Sequence, residues 1–224
     1  MSCDRTRELA AELALGILDG EQRAQALRHL AECPECRRAV EELTAVADEL
    51  GMDRHGRQEL EFAALLHDIG KITIPKQILH KPARLSRDEF EVMKTHTLEG
   101  QFMLDRVGGL LGRVGEIVRS CHERFDGNGY PDGLAAHEIP FSARIVFPCD
   151  AYNAMTTNRP YRAAMSQEDA LAELAKHAGT QFDPDIVAAL TSVVTEGEPE
   201  IRPADQVRAL VAQVQLPERA SALG

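Results

Sequence analysis

The sequence predicts an all-α protein, a helical bundle preceded by a small three-helix module. Three observations predict it. Apolar residues recur at three- and four-residue intervals over 5–18, 22–32, 35–50, 57–67, 87–105, 110–123, 142–156, 167–177, 184–194 and 204–215. Runs of alternating polarity, the mark of half-buried strands, are nearly absent. The composition also shifts along the chain. Residues 1–36 hold three of the five Cys and no Phe or Tyr, whereas every aromatic and six of the eight His lie beyond Glu59. The expected units are therefore a module over 1–45, a main domain over 46–195, and a C-terminal helix with a frayed tail over 196–224.

Each element has its own signals. The first two segments are short and belong to a unit of ~40 residues, too small to bury a sufficient core unaided. The segment 35–50 joins that unit to the rest. The run AALLHDIGK ends helix 57–67 at Gly70, and Ile74-Pro75 and Lys81-Pro82 mark loops after it. Ser86 with Glu89, and Ser166 with Asp169, are start signals for 87–105 and 167–177. The Gly-rich stretch Asp126 to Gly133 separates 110–123 from 142–156, and Glu196 to Pro203 closes the last core segment.

Composition narrows the function. Of 224 residues, 44% are hydrophobic and 27% charged, the balance of a soluble globular protein. Every apolar run stops well short of the ~20 residues a bilayer requires. The start, MSCDRTRELAAEL, is charged where a secretory signal would be apolar, so the chain reads as cytoplasmic with no membrane partner. With 25 Lys and Arg against 36 Asp and Glu, the formal charge is -11, and no direct DNA binding is expected. A small anion could bind only at a locally positive site. An odd cysteine count in a reducing compartment points to ligands, core residues or reactive thiols rather than disulfides.

Two constellations carry chemistry. In His29-Leu-Ala-Glu-Cys33-Pro-Glu-Cys36 an imidazole and two thiols converge at a helical turn, three of the four ligands of a tetrahedral zinc. Cys3, 26 residues before His29, could close the set. The bland alternative is a helical hairpin with small buried thiols. The second constellation begins at His67-Asp68, delivered to a helix end where neighbouring side chains can engage a metal, with Lys71 able to neutralise a phosphoryl oxygen. His96, His122 and Asp150 each lie in or beside a helical segment; singly each reads as a packed residue, together as a site.

Cys3 with His29-x3-Cys33-x2-Cys36 resembles the zinc-binding anti-sigma fold over about 1–45. That resemblance implies a structural zinc and a sigma factor or other regulator as partner. His67-Asp68-x-x-Lys71 with Gly129-Tyr130-Pro131 resembles the HD-GYP family of metal-dependent cyclic di-GMP phosphodiesterases. The likeness runs from about Glu59 to Leu190 through LLHDIGKITIP, HERFDGNGYPDGL, IPFSARI, DAYNAM, RPYR and FDPDIV. It implies an HD-domain-like bundle with two or three transition metals, Fe or Mn, held by His67, Asp68, His96, His122 and Asp150, with Asp68 bridging. It further implies in-line attack by water activated at the metals and stabilisation of the transition state by Lys71. Arg159 and Arg162 would grip substrate phosphates. The Gly129-Tyr130-Pro131 loop would border the substrate and dock a diguanylate cyclase partner. His55, His80, His137 and His177 match no ligand and read as surface or loop residues.

The chain departs from that family twice. A leading metal-binding His would fall near 35–38, where none exists; Glu35 or Cys36 could stand in, although Cys36 is already assigned to the zinc set. The family's His-His-Glu is Cys121-His122-Glu123 here, so Cys121 becomes a provisional ligand. Cys121 and Cys149 are a candidate redox pair, with two buried structural thiols as the alternative. The expected function is hydrolysis of cyclic di-GMP to linear pGpG, and on to GMP, with the N-terminal module as sensor or docking element. A homodimer is compatible. The rival is a catalytically impaired regulatory protein of the same family that binds a sigma factor or another protein.

Overall fold

A computed structural model describes Gln25, residues 33–158 and residues 163–196, with the backbone alone over 34–41. The expected helices over 5–18 and 204–215, and that over 22–32 apart from Gln25, lie outside the described residues. The described part is helical, with two isolated bridges, Asp126 to Ala135 and Ala178 to Phe182, and no strand. Its helices are α1 (Pro34–Glu49), α2 (Arg54–Leu66), α3 (Lys76–Leu79), α4 (Arg87–Lys94), α5 (His96–Val107), α6 (Leu110–Ser120), α7 (Phe141–Thr156), α8 (Gln167–Lys176) and α9 (Pro184–Glu196). Short 3-10 helices cover Ile69–Thr73 and Ala136–Glu138. Among the described residues no helix is long and apolar enough to cross a membrane.

The starts follow local chemistry. Pro34 opens α1 at a position where its missing N–H costs nothing. The Asp53 carboxylate accepts from the Gly56 N–H at 2.7 Å to cap α2. Ser86 and Glu89 form the expected reciprocal box at α4, and Ser166 caps α8. Asp183 precedes Pro184 at the start of α9. Its buried carboxylate accepts from the Asp185 N–H at 3.0 Å and from Arg144 of α7 at 2.6 Å.

One expected helix is two. The segment 87–105 breaks between Lys94 and His96. The Thr95 hydroxyl donates to the Val92 carbonyl at 2.8 Å, and the Thr95 N–H turns to the same carbonyl at 3.2 Å. The side chain thus competes with the regular ladder and tightens the last turn of α4. The break places His96 at the head of α5, where it is 1% exposed.

The core is aliphatic, as the absence of Trp and scarcity of aromatics require. Leu60, Ala63 and Leu66 line one stripe of α2 and join Val46, Leu104, Val114, Val118, Ile145, Leu174, Ile186 and Leu190 in one buried cluster. Full burial of each Leu, Ile or Val is worth roughly 1.5–3 kcal/mol. α2 packs on α1, α6 and α7, α5 packs on α6, and α9 packs on α1. The 3-10 helix at 69–73 lies against α5 at backbone range. A Cβ on Gly70 would stand 1.8 Å from the His96 carbonyl oxygen and 2.6 Å from the Gly100 nitrogen. Only glycine permits that approach, and the approach sets Asp68 against His96.

Candidate metal centre

His67 ends α2, and Asp68 stands between it and the 3-10 helix at 69–73. His96 heads α5, His122 follows α6, and Asp150 lies in α7 two residues after Pro148. The fold brings all five together. His96 Nε2 is 3.7 Å from Asp68 Oδ1; His67 Nε2 is 3.6 Å from Asp68 Oδ2 and 3.6 Å from Asp150 Oδ1. These gaps are too long for hydrogen bonds. Two ligands each ~2.1 Å from one ion stand about 3–3.7 Å apart, so the gaps have the spacing of ligand pairs. The Asp68, His96 and His122 donor atoms all lie within 4.8 Å of one another.

Hydrogen bonding gives the same reading. Asp68 Oδ1 and His96 Nε2 are buried and have no hydrogen-bond partner. Such atoms cost free energy unless something satisfies them, and a cation satisfies both at once. The imidazoles are oriented for it: His96 Nδ1 lies 2.7 Å from the Met93 carbonyl and His67 Nδ1 lies 2.9 Å from the Ala64 carbonyl. A carbonyl can only accept, so each Nδ1 carries the proton and each Nε2 lone pair faces the cluster. Asp68 Oδ2 accepts from Lys71 Nζ at 2.7 Å.

Charge states suit ligation. Burial pushes the Asp68 carboxyl up, yet the His67 ring and the Lys71 ammonium beside it outweigh burial and hold it well below the usual carboxylate range. Burial lowers His96, and burial together with His96 lowers His122 to about 3. Both imidazoles are therefore neutral near pH 7, the form that binds metals.

The loop 126–133 folds onto this cluster. Glu123, 2% exposed, accepts from the N–H groups of Asp132 at 2.6 Å, Gly133 at 3.1 Å and Leu134 at 3.1 Å. Gly129 lies so close that a Cβ there would sit 2.2 Å from the Arg124 nitrogen. The Tyr130 N–H donates to the His122 carbonyl at 3.2 Å, and its ring stacks on the His122 imidazole with centroids 5.1 Å apart and planes at 28°. The Tyr130-Pro131 peptide is cis. Arg119 holds the Asp132 carboxylate through two bonds of 2.6 and 2.7 Å. Nothing in the sequence marks Glu123 or Arg119 as holding this loop, although Glu123 is adjacent to His122.

The model of the HD domain family matches residues 21–186, and a zinc-finger family model matches residues 3–37. The chain belongs to the HD domain family. Its motifs and relatives place it in the HD-GYP branch. It is 43% identical over 152 residues to a cyclic di-GMP phosphodiesterase of Thermotoga maritima, covering 67% of this chain and 41% of that protein. It is 43% identical over 146 residues to a cyclic di-GMP phosphodiesterase response regulator of Xanthomonas campestris, covering 65% and 39%. A 3'3'-cGAMP-specific phosphodiesterase of Vibrio cholerae is 38% identical over 129 residues, covering 57% and 25%. The chain thus spans about two fifths of the length of the first two.

Solved structures share the HD-domain fold. The crystal structure of a cyclic GMP-AMP-specific phosphodiesterase of Vibrio cholerae matches with a TM-score of 0.61 at 18% identity, covering 91% of this chain and 53% of that one. An HDG"Y"P protein of Bdellovibrio bacteriovorus matches with a TM-score of 0.56 at 21% identity, covering 87% and 63%. HD-domain membership and the zinc-finger match together imply metal binding. The two family matches overlap over residues 21–37.

Other expected site residues fall differently in this HD-domain protein. Cys121 is buried, and its Sγ donates to the Val118 carbonyl at 3.0 Å rather than to the cluster. Burial, then the Asp68 and Asp150 charges, push its thiol well above the ordinary range. Cys149 is also buried, and no disulfide joins it to Cys121. Cys33 precedes α1. Cys3, His29, Arg159 and Arg162 lie outside the described residues, as do the side chains of Glu35 and Cys36. His55, His80 and His137 are exposed and His177 is half-buried.

Proposed function

We propose that this chain is a metal-dependent phosphodiesterase that opens cyclic di-GMP to linear pGpG and cleaves that on to GMP. The observation that carries the reading is the pair of buried, unpartnered atoms, Asp68 Oδ1 and His96 Nε2, within a five-residue cluster. His67, Asp68, His96, His122 and Asp150 would hold two or three ions, Fe or Mn. Such ions supply activation of water and neutralisation of phosphoryl charge. Lys71, anchored on Asp68, would add a fixed positive charge beside the phosphoryl oxygens. Gly129, Tyr130 and Pro131 would wall the substrate beside His122, and Arg159 and Arg162 would take its phosphates.

The wider assignments belong to the same proposal. Cys3, His29, Cys33 and Cys36 would hold a structural zinc in a module over 1–45. That module would dock a sigma factor or another regulator, ahead of a phosphohydrolase domain over 46–195 in the cytoplasm. The loop would take a diguanylate cyclase as partner. The test is incubation of the full chain with cyclic di-GMP or 3'3'-cGAMP and Mn²⁺ or Fe²⁺, with products separated by chromatography. Appearance of pGpG that stops with chelator supports the reading; metal-loaded protein that cleaves neither dinucleotide overturns it. A second reading, a non-catalytic nucleotide-binding regulator, draws on the Cys121 thiol being turned to Val118. About one zinc per chain and no other metal would favour it.

A further inference from the structure

Beside the ligands stands a group of side chains with no role so far. Phe90 and Lys94 are four residues apart on one face of α4, and both reach Tyr130. The Phe90 ring meets Tyr130 edge-on with centroids 6.2 Å apart. Lys94 Nζ lies 5.2 Å from the Phe90 centroid and 5.7 Å from that of Tyr130, while pairing with Glu91 at 2.9 Å. Tyr130 in turn stacks on His122 and lies 6.5 Å from His96. A continuous run of rings therefore leads from the metal cluster to Phe90, which is 45% exposed. In a chain with 4% aromatic residues, a ring left half in water at the rim of the site calls for an occupant.

We propose that Phe90 and Lys94 seat one guanine base of the dinucleotide, Phe90 offering a stacking surface and Lys94 reading the O6/N7 edge. Single-stranded bases stack on aromatic side chains, and an ammonium pairs with the two acceptors of guanine. Adenine replaces the O6 acceptor with an amino donor, so the same cation disfavours it. The inference rests on the reading that the neighbouring cluster acts on a guanine-containing dinucleotide. The seat would make Lys94 a specificity-determining residue that acts through the base and not through the phosphate.

The test is equilibrium binding of phosphorothioate analogues of cyclic di-GMP and cyclic di-AMP to the metal-loaded full chain, with turnover of cyclic di-GMP followed separately. Phe90→Ala is expected to weaken cyclic di-GMP binding about 5- to 100-fold at unchanged metal content. Lys94→Met is expected to narrow the preference for guanine over adenine by about tenfold. Phe102→Ala, which removes a ring that is 58% exposed on α5, should match the parent protein. Binding by both variants within twofold of the parent overturns the seat, as does Lys94→Met weakening both ligands equally. A parent protein that binds the guanine analogue but cleaves nothing sinks the catalytic reading while the variants still decide the seat. No binding of either analogue overturns the seat outright.

Discussion

The two halves of the candidate metal cluster are built by different means. On one side, His67 and His96 are each fixed by a backbone carbonyl at Nδ1, and Gly70 lets the 3-10 helix rest on the head of α5. On the other side, His122 is set by a stacked tyrosine in a loop that one buried carboxylate, Glu123, holds by three amides. The first half is packed backbone, which tolerates no added atom. The second is a hydrogen-bonded clamp, which can loosen while the bundle stays folded. Ligand geometry should therefore fail abruptly on one side and gradually on the other.

Asp68 serves both halves, so Asp68→Ala should have the largest effect. Metal affinity and turnover are both expected to fall by more than about a hundredfold, beyond the loss typical of outer-shell partners; metal analysis and product chromatography check this. Gly70→Ala breaks the packed side. Its Cβ would overlap the His96 carbonyl, and overpacking of this kind costs about 1–3 kcal/mol or more. A thermal unfolding midpoint equal to that of the parent would contradict it.

Glu123→Ala breaks the clamp. It leaves three N–H groups without their acceptor, at a cost of about 1–3 kcal/mol. Turnover should drop roughly tenfold or more with metal content kept, and Glu123→Gln, which retains one acceptor oxygen, should recover part of it. Loss of metal in step with loss of turnover would erase the distinction between the halves. The smallest change is expected from Arg119→Ala. Its pair with Asp132 is about one-third exposed, so its removal should cost about 0–1 kcal/mol in denaturant titration.

The helical class, the His67-Asp68 pair and the loop were legible because each leaves a local mark: apolar spacing, adjacent ligands, clustered Gly. The break at Thr95 left none, since no Gly or Pro stands there and only a hydroxyl bond to Val92 divides α4 from α5. Gly70 was legible as a helix stop, but its close approach to His96 depends on a contact 26 positions away. The clamp was hidden for a related reason. Backbone amides accept any residue name, so nothing in Asp132, Gly133 or Leu134 announces Glu123 as their partner. Cys121 could be seen as a substitution for a His, but the direction of its thiol depends on the last turn of α6.

The stacking of Tyr130 on His122 also gives the molecule a built-in optical probe. With no Trp and three Tyr in the chain, ultraviolet emission comes from few rings, and one of them touches an imidazole of the cluster. Cation arrival at His122 would alter the electronic surroundings of that phenol, so titrating iron or manganese into the chelated protein and watching tyrosine fluorescence would report filling of the centre without any substrate.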